Sequence, residues 1–193
     1  MRRAAQIVAQ GGLIAYPTDS CYALGCHLGD ARAVTRLRRV RGLDERHHLT
    51  LMCSNLAQIA AFSIVDNVQF RLLKAATPGS FTFILRARRE LPRRLLHARR
   101  KTIGVRVPAH PVAHALLAEL GEPMLSATLH LPHDALPLSD AHEIRERLEH
   151  ELDLVIDAGS CGVEPTTVVD LTTDTPTLLR LGKGALAQIG LAA

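Results

Sequence analysis

Three polar side chains separate two apolar segments near the N-terminus: Thr18, Asp19 and Ser20. The flanking segments, Leu13–Tyr16 and Tyr22–Cys26, are short and bounded by Pro or Gly, which is typical of buried strands. Pro17 removes a backbone donor, so strand pairing is expected to end there. Hydroxyl and carboxylate groups between two buried strands suit a ligand site, and they also suit an ordinary turn. On these residues alone, the ordinary turn is the simpler interpretation.

Basic residues are concentrated in one part of the chain. Residues 32–106 contain 17 Arg and Lys against 4 Asp and Glu, whereas residues 107–193 contain 4 against 13. A half this basic favours an anionic partner such as a nucleotide, RNA or both. The alternative is that the arginines only solvate the outer faces of helices.

Several common catalytic and binding patterns do not occur. The sequence has no GxxxxGK(S/T) and no GxGxxG, so ordinary ATPase and dinucleotide-binding classes find no support. The four cysteines, Cys21, Cys26, Cys53 and Cys161, form no CxxC pair, and the ten histidines form no HExxH, so no structural metal is predicted. Cys21 and His47 could serve a hydrolase, but nothing in the sequence brings them together.

Composition indicates a soluble protein with a sizeable core. A chain of 193 residues with 47% apolar residues suits one domain spanning residues 1–193. No uncharged apolar run approaches the roughly 20 residues of a membrane helix, and residues 1–12 do not resemble a secretory signal. We therefore predict a cytoplasmic location and no membrane partner. Aromatic residues make up only 3%, and no aromatic-rich RNA-recognition motif is present.

Apolar periodicity and capping residues predict an α/β fold with a mixed, twisted sheet. The predicted helices are Ala4–Gln10, Ala31–Arg41, Leu56–Ala61, Asn67–Ala76, Pro111–Leu120 and 141–151, with part of 88–101. The predicted strands are the two above and Leu49–Cys53, Phe81–Arg86, Thr102–Val107, Met124–Thr128, Leu154–Asp157, Thr167–Leu171 and Thr177–Arg180. The last two strands are expected to form a hairpin.

Several short strings, in order along the chain, resemble the signatures of the YrdC/YciO family of threonylcarbamoyl-AMP synthases and their relatives. Pro17–Gly25 resembles PT(E/D)xxYxLG, Pro78–Leu85 resembles PGPxTxxL, and Thr102–Pro111 resembles TxxVRxPxHP. Pro165–Leu171 resembles PSTxxD, and Arg180 with Gly182 resembles a terminal R-x-G. The longer strings are most similar to the YciO branch.

The resemblance implies a fold, an activity and partners. Members of the YrdC type have a single-domain twisted α/β fold around a deep basic cavity. They condense L-threonine, bicarbonate and ATP into threonylcarbamoyl-AMP for modification of tRNA adenosine 37. ATP is then a substrate, with Mg²⁺ as an accompanying ion. The alternative is a non-catalytic protein of the YciO branch that binds tRNA or double-stranded RNA, which the basic block alone would also support.

The resemblance also implies the roles of particular residues. Threonine-binding positions correspond to Thr18, His47, Arg106 and Thr166. Nucleotide-binding positions correspond to Arg41, Thr102, Ser126, Thr128 and Arg180. The catalytic K-x-R and S-x-N of the family correspond to Arg39, Arg41, Thr128 and His130. Arginines can hold carboxylate and phosphate oxygens bidentately, and hydroxyls can orient the amino acid and the α-phosphate.

Two departures from the family pattern bear on catalysis. Arg39 stands where the family has lysine, and the two cations are not equivalent at a phosphate contact. Thr128 and His130 stand where the family has serine and asparagine, so an imidazole replaces an amide that both donates and accepts. The sequence thus favours nucleotide binding, with an enzyme of weakened synthase activity as the leading hypothesis.

Overall fold

A computed structural model describes residues 1–44, 47–89, 91–92, 95–97 and 101–191. Its strands all belong to one mixed sheet in the order β7-β1-β2-β6-β3-β5-β4-β8-β9. Their bounds are β1 Leu13–Tyr16, β2 Ala23–His27, β3 Thr50–Met52, β4 Phe81–Arg86, β5 Thr102–Arg106, β6 Met124–Thr128, β7 Leu154–Val155, β8 Thr167–Asp170 and β9 Thr177–Arg180. Segments far apart in sequence are therefore neighbours in the sheet, which brings the polar ends of several strands together.

Six α-helices and a short 3₁₀ helix pack around the sheet within the described ranges. Their bounds are α1 Arg2–Ala9, α2 Ala31–Arg41, α3 Leu56–Phe62, α4 Asn67–Ala76, α5 Pro111–Leu120, α6 Ala141–Leu148 and the 3₁₀ helix Leu186–Ile189. Local chemistry sets the ends of α2, because the Asp30 side chain accepts from the Ala33 amide and Gly42 takes a left-handed conformation at φ 62°. None of the described helices is long and apolar enough to cross a membrane.

The strands predicted from sequence all occur, with ends that differ by one or two residues. The predicted helix over 141–151 ends at Leu148, and the predicted helix from Ala4 begins at Arg2. The hairpin of β8 and β9 is confirmed by their antiparallel pairing. The helical part predicted within 88–101 falls largely on residues outside the described ranges.

The two halves of one sheet face are covered differently. Side chains alternate between the faces of a strand, so Met52 and Met124 share a face with Thr82 and Ser126 by strand register. On one half of this face, α1 and α5 pack over an apolar cluster that includes Tyr16. The other half instead forms the floor of a cavity.

Strand β4 illustrates how both faces are covered. Phe81, Phe83 and Leu85 belong to the larger apolar core on the opposite face, together with buried residues of α2, α3, α4 and α6. Thr82 and Ile84 alternate with them and line the cavity. Five of its six residues are buried, because core and cavity enclose the strand from opposite sides.

Candidate functional site

A cavity of about 470 Å³ opens over the half of this sheet face that α1 and α5 do not cover. This volume falls within the range of small-molecule sites, about 300–1,000 Å³. Its described lining includes three arginines, three histidines and several hydroxyl groups, and it contains no Asp or Glu. Exposed apolar side chains contribute to the lining as well: Leu136, Val163 and Leu179. The cavity is therefore suited to an anionic or partly anionic ligand.

The three cavity arginines come from different elements: Arg41 from the end of α2, Arg106 from the end of β5 and Arg180 from the end of β9. Arg180 is held by Thr166, whose carbonyl oxygen accepts from Nε at 3.1 Å and from Nη2 at 2.9 Å. The Nε atom of Arg41 is buried and has no hydrogen-bond partner among the described residues. Loss of hydration lowers the pKa of both arginines, although Arg180 is exposed over part of its surface. Both guanidinium groups thus retain donor capacity for a ligand.

Arg106 is held by the turn between β1 and β2. Its Nη2 donates to Asp19 Oδ1 at 2.7 Å, and its Nη1 donates to Ser20 Oγ at 3.0 Å. The same carboxylate accepts from Ser80 Oγ at 2.6 Å and from the Ala109 amide at 2.9 Å. Burial raises the pKa of Asp19, but the Arg106 charge and the Ser80 hydrogen bond outweigh it, so this pKa lies below its usual value. Asp19 is therefore a carboxylate at neutral pH.

Hydroxyl groups form two further linked sets in the cavity. Thr18 Oγ1 donates to the Cys21 carbonyl at 2.7 Å and lies 3.1 Å from Ser20 Oγ. Thr82 and Thr166 share a hydrogen bond of 2.8 Å between their hydroxyls. Each set places hydroxyl groups, oriented by these hydrogen bonds, beside an arginine. Such hydroxyl groups can position carboxylate or phosphate oxygens.

Below the cavity floor, Tyr16 is fully buried, and its hydroxyl lies 2.8 Å from Ser126 Oγ. Burial raises the pKa of Tyr16, so it is neutral and able to donate. The hydroxyl orientation of Ser126, a lining residue, therefore depends on a side chain that the sequence did not single out.

The histidines of the cavity differ in what they contact. Burial, followed by the charges of Arg41 and Arg38, lowers the pKa of His47, so this imidazole is neutral near pH 7. His130 Nε2 lies 2.8 Å from the Asp134 carbonyl oxygen, which can only accept, so Nε2 is the protonated nitrogen. His48 Nε2 lies 2.9 Å from Thr102 Oγ1.

Nine of the residues proposed from the sequence line the cavity together: Thr18, Arg41, His47, Arg106, Ser126, Thr128, His130, Thr166 and Arg180. Thr102 does not line it and instead supports His48. Arg39 also lies elsewhere: its side chain is 66% exposed and pairs with Glu151. Residues two apart on a helix point in nearly opposite directions, so Arg39 and Arg41 cannot both face the cavity.

Sequence reasoning also missed some residues. Asp19 and Ser20 stand in the first signature string, but only their neighbour Thr18 was assigned a role, and their contacts with Arg106 required the fold. Thr82 was predicted only as a residue of a strand. Arg93 and Arg94, which belong to the basic block, lie outside the described residues. Where side chains are described, no three His, Cys, Asp or Glu residues are grouped to hold a metal ion.

The chain is similar to known proteins along most of its length. The model of the Sua5/YciO/YrdC family, described as telomere recombination, matches residues 6–182. YciO of Escherichia coli K12 is 53% identical over 184 residues, covering 95% of this chain and 89% of that protein. A crystal structure of E. coli YciO superposes with a TM-score of 0.94 and covers 97% of this chain and 91% of that one.

Relatives named as enzymes are more distant. Threonylcarbamoyl-AMP synthase of Halorhodospira halophila is 33% identical over 172 residues, covering 88% of this chain and 89% of that protein. Sua5 of Pyrococcus abyssi, solved as a complex with L-threonine, superposes with a TM-score of 0.86 at 28% identity. That comparison covers 94% of this chain and 53% of the Pyrococcus chain.

Proposed function

Because the chain belongs to the Sua5/YciO/YrdC family, we propose that its cavity binds ATP and L-threonine and condenses them with bicarbonate into threonylcarbamoyl-AMP. The observation that carries this proposal is the convergence of Arg41, Arg106 and Arg180 with five threonines in a cavity whose described lining has no carboxylate. Such a set suits a carboxylate at one end and phosphates at the other. More distant relatives are named as threonylcarbamoyl-AMP synthases.

In the proposed reaction, the amine of threonine combines with bicarbonate to give a carbamate and water. A carbamate oxygen then attacks the α-phosphorus of ATP, and pyrophosphate leaves with the electrons of the broken P–O bond. Arginine side chains stabilise the negative charge that develops on the phosphoryl oxygens. We assign this role to Arg41 and Arg180, and the positioning of the threonine carboxylate to Arg106 with Thr18.

The described lining does not fit a resident magnesium ion. Mg²⁺ prefers carboxylate oxygens, phosphates and water, and the described cavity side chains provide hydroxyls, imidazoles and guanidinium groups. In this proposal, Mg²⁺ therefore enters only as part of the substrate, bound to the phosphates of ATP.

The direct test is incubation with L-threonine, bicarbonate and Mg-ATP, followed by mass spectrometry for threonylcarbamoyl-AMP and a pyrophosphate assay. We expect turnover below that of a relative with K-x-R and S-x-N, because His130 replaces an amide. The variant His130→Asn should raise turnover, and adding Thr128→Ser should raise it further. Arg39→Lys is the matched control: it restores the other family residue but lies outside the cavity, so it should change little.

The outcomes separate the hypotheses. If neither the parent nor the variant with His130→Asn and Thr128→Ser forms any adenylate at about pH 6 to 9, the enzyme proposal fails. If the parent is already as fast as such a relative, the argument from His130 is wrong. If Arg39→Lys alone raises turnover, Arg39 reaches the substrate in a conformation different from the present one.

RNA binding is a second candidate function, supported by the 17 basic against 4 acidic residues of 32–106. Phosphate contacts of this kind weaken steeply with salt, because binding releases counterions. Transfer RNA and double-stranded RNA should therefore bind much more weakly at physiological than at low salt, and reversing the charges of Arg93 and Arg94 should weaken binding further. Affinity that does not change with salt would contradict this function.

A further inference from the structure

Arg106 differs from the other two cavity arginines because a buried carboxylate accompanies it. The Arg106 and Asp19 side chains are only 6% and 12% exposed, and 2.7 Å separates their paired atoms. Arg180 is held by a neutral carbonyl oxygen instead. Among the described residues, no carboxylate forms an ion pair with Arg41 or Arg180. Within that part of the chain, the charge of Arg106 is therefore balanced by a carboxylate, and the charges of Arg41 and Arg180 are not.

Asp19 is fixed beneath Arg106 and does not line the cavity. Arg106, Ser80 and the Ala109 amide all donate to its carboxylate, which uses most of its acceptor capacity. Its backbone carbonyl also accepts from the exposed Lys183 ammonium. These contacts hold the carboxylate where a ligand cannot use it directly. Its negative charge nevertheless acts on any ligand that contacts Arg106.

We infer that Asp19 is a specificity-determining residue: by balancing the charge of Arg106, it makes this end of the cavity select a zwitterionic amino acid over an anion of the same shape. The inference rests on the proposed function, since it presumes that an amino acid carboxylate binds at Arg106. An amino acid brings an ammonium group as well as a carboxylate. The Asp19 charge offsets the repulsion between that ammonium and Arg106, whereas a purely anionic ligand is attracted less strongly by a balanced pair.

Two ligands that differ in one group test this inference. L-threonine is zwitterionic, and 2,3-dihydroxybutanoate of the same configuration carries a hydroxyl in place of the ammonium. Dissociation constants for both are measured by titration calorimetry with the full chain. We expect the parent to bind L-threonine more tightly. In Asp19→Asn, the ratio of the two constants should shift by roughly tenfold toward the hydroxy acid, as expected for one unit charge removed at short range.

Ser80→Ala is the matched control, because it removes a hydrogen bond to the same carboxylate but leaves its charge. The ratio of the two constants should stay close to that of the parent in this variant. A purely structural role for Asp19 would weaken both ligands together in Asp19→Asn and would leave the ratio unchanged.

A second comparison applies if Asp19→Asn does not fold with Arg106 left as an unpaired buried charge. Adding Asp19→Asn to Arg106→Gln removes the carboxylate charge without creating an unpaired cation. Both of these variants should bind the two ligands more weakly because Arg106 is lost, so their dissociation constants are measured by NMR titration at millimolar ligand. Adding Asp19→Asn should again shift the ratio toward the hydroxy acid. An unchanged ratio would overturn this inference while leaving threonine binding intact. Failure of the parent to bind either ligand would instead overturn the proposed function, and this inference with it.

Discussion

Arg41 and Arg180 both line the cavity, yet their removal should affect folding and binding differently. Arg180 donates two hydrogen bonds to the Thr166 carbonyl and a longer one, 3.3 Å, to its hydroxyl. Because Arg180 is an exposed residue, losing them should lower the free energy of unfolding of Arg180→Ala by only about 0.5–1.5 kcal/mol. Arg41 instead buries an Nε that has no hydrogen-bond partner among the described residues, which is unfavourable by about 1–3 kcal/mol. Arg41→Ala should therefore be as stable as the parent, or more stable.

Binding should respond in the same way to both substitutions. A charge-assisted hydrogen bond to phosphate contributes about 1.5–3 kcal/mol, so each variant should bind Mg-ATP about 10- to 150-fold more weakly. Urea unfolding gives the stability of the free proteins, and the increase in melting temperature with Mg-ATP gives the relative affinity. Arg32→Ala removes an exposed arginine of α2, the helix that also contains Arg41, and should change neither the stability nor the affinity for Mg-ATP.

Arg41→Ala is expected to lose affinity for Mg-ATP without losing stability, and this combination is what the experiment tests. If Arg41→Ala lost stability as Arg180→Ala does and bound Mg-ATP normally, Arg41 would be a structural residue and the nucleotide site would lie elsewhere. If millimolar Mg-ATP did not raise the melting temperature of the parent, no nucleotide site of the proposed kind would remain.

Three other predictions concern residues around the cavity. The pKa of His47 is lower in the folded protein than in the unfolded chain, so on acidification the unfolded chain is protonated at His47 before the folded protein is. The free energy of unfolding should therefore fall as pH drops below about 6.5, and His47→Gln should reduce this slope in urea unfolding. Tyr16→Phe should lower stability by about 0.5–1.5 kcal/mol, and this loss should shrink when Ser126 is already alanine, as a double-mutant cycle would reveal. Gly25→Ala should lower the free energy of unfolding by about 1–3 kcal/mol, because a Cβ there would lie 2.9 Å from Tyr16 Cε1 and 3.1 Å from Met124 Sδ. Unchanged thermal unfolding would show that these side chains move aside.

The elements of this fold were predictable because their signals are local. Asp30 and Gly42 mark the two ends of α2, and the apolar residues between them repeat at helical spacing. The order of the strands was not predictable in the same way. β3 pairs with β5 and β6, and β4 with β8, across long stretches of sequence that carry no local indication of the partner. Strand pairing therefore required the structure, whereas strand existence did not.

Most residues assigned to the site from the sequence lie in one cavity, and the direction of a side chain decides which of them lie elsewhere. Arg41, Arg106 and Arg180 come from separate motifs, and the sheet brings all three to one cavity. Arg39 was assigned together with Arg41 because the two correspond to the family's K-x-R, but helical geometry turns Arg39 toward Glu151. Asp19 was passed over because its significance lies in contacts with β5 and with the segment before β4.

The replacement of an amide by His130 has a consequence that the geometry makes specific. An asparagine side chain offers a ligand both a donor and an acceptor. The Nε2 proton of His130 is already used by the Asp134 carbonyl, so the neutral ring has only the Nδ1 lone pair left. A lone pair repels phosphate oxygens, so the neutral ring offers them no donor. His130→Asn should therefore raise both Mg-ATP affinity and any synthase turnover that depends on this position. Unchanged affinity and turnover would show that His130 only packs against the loop of Asp134.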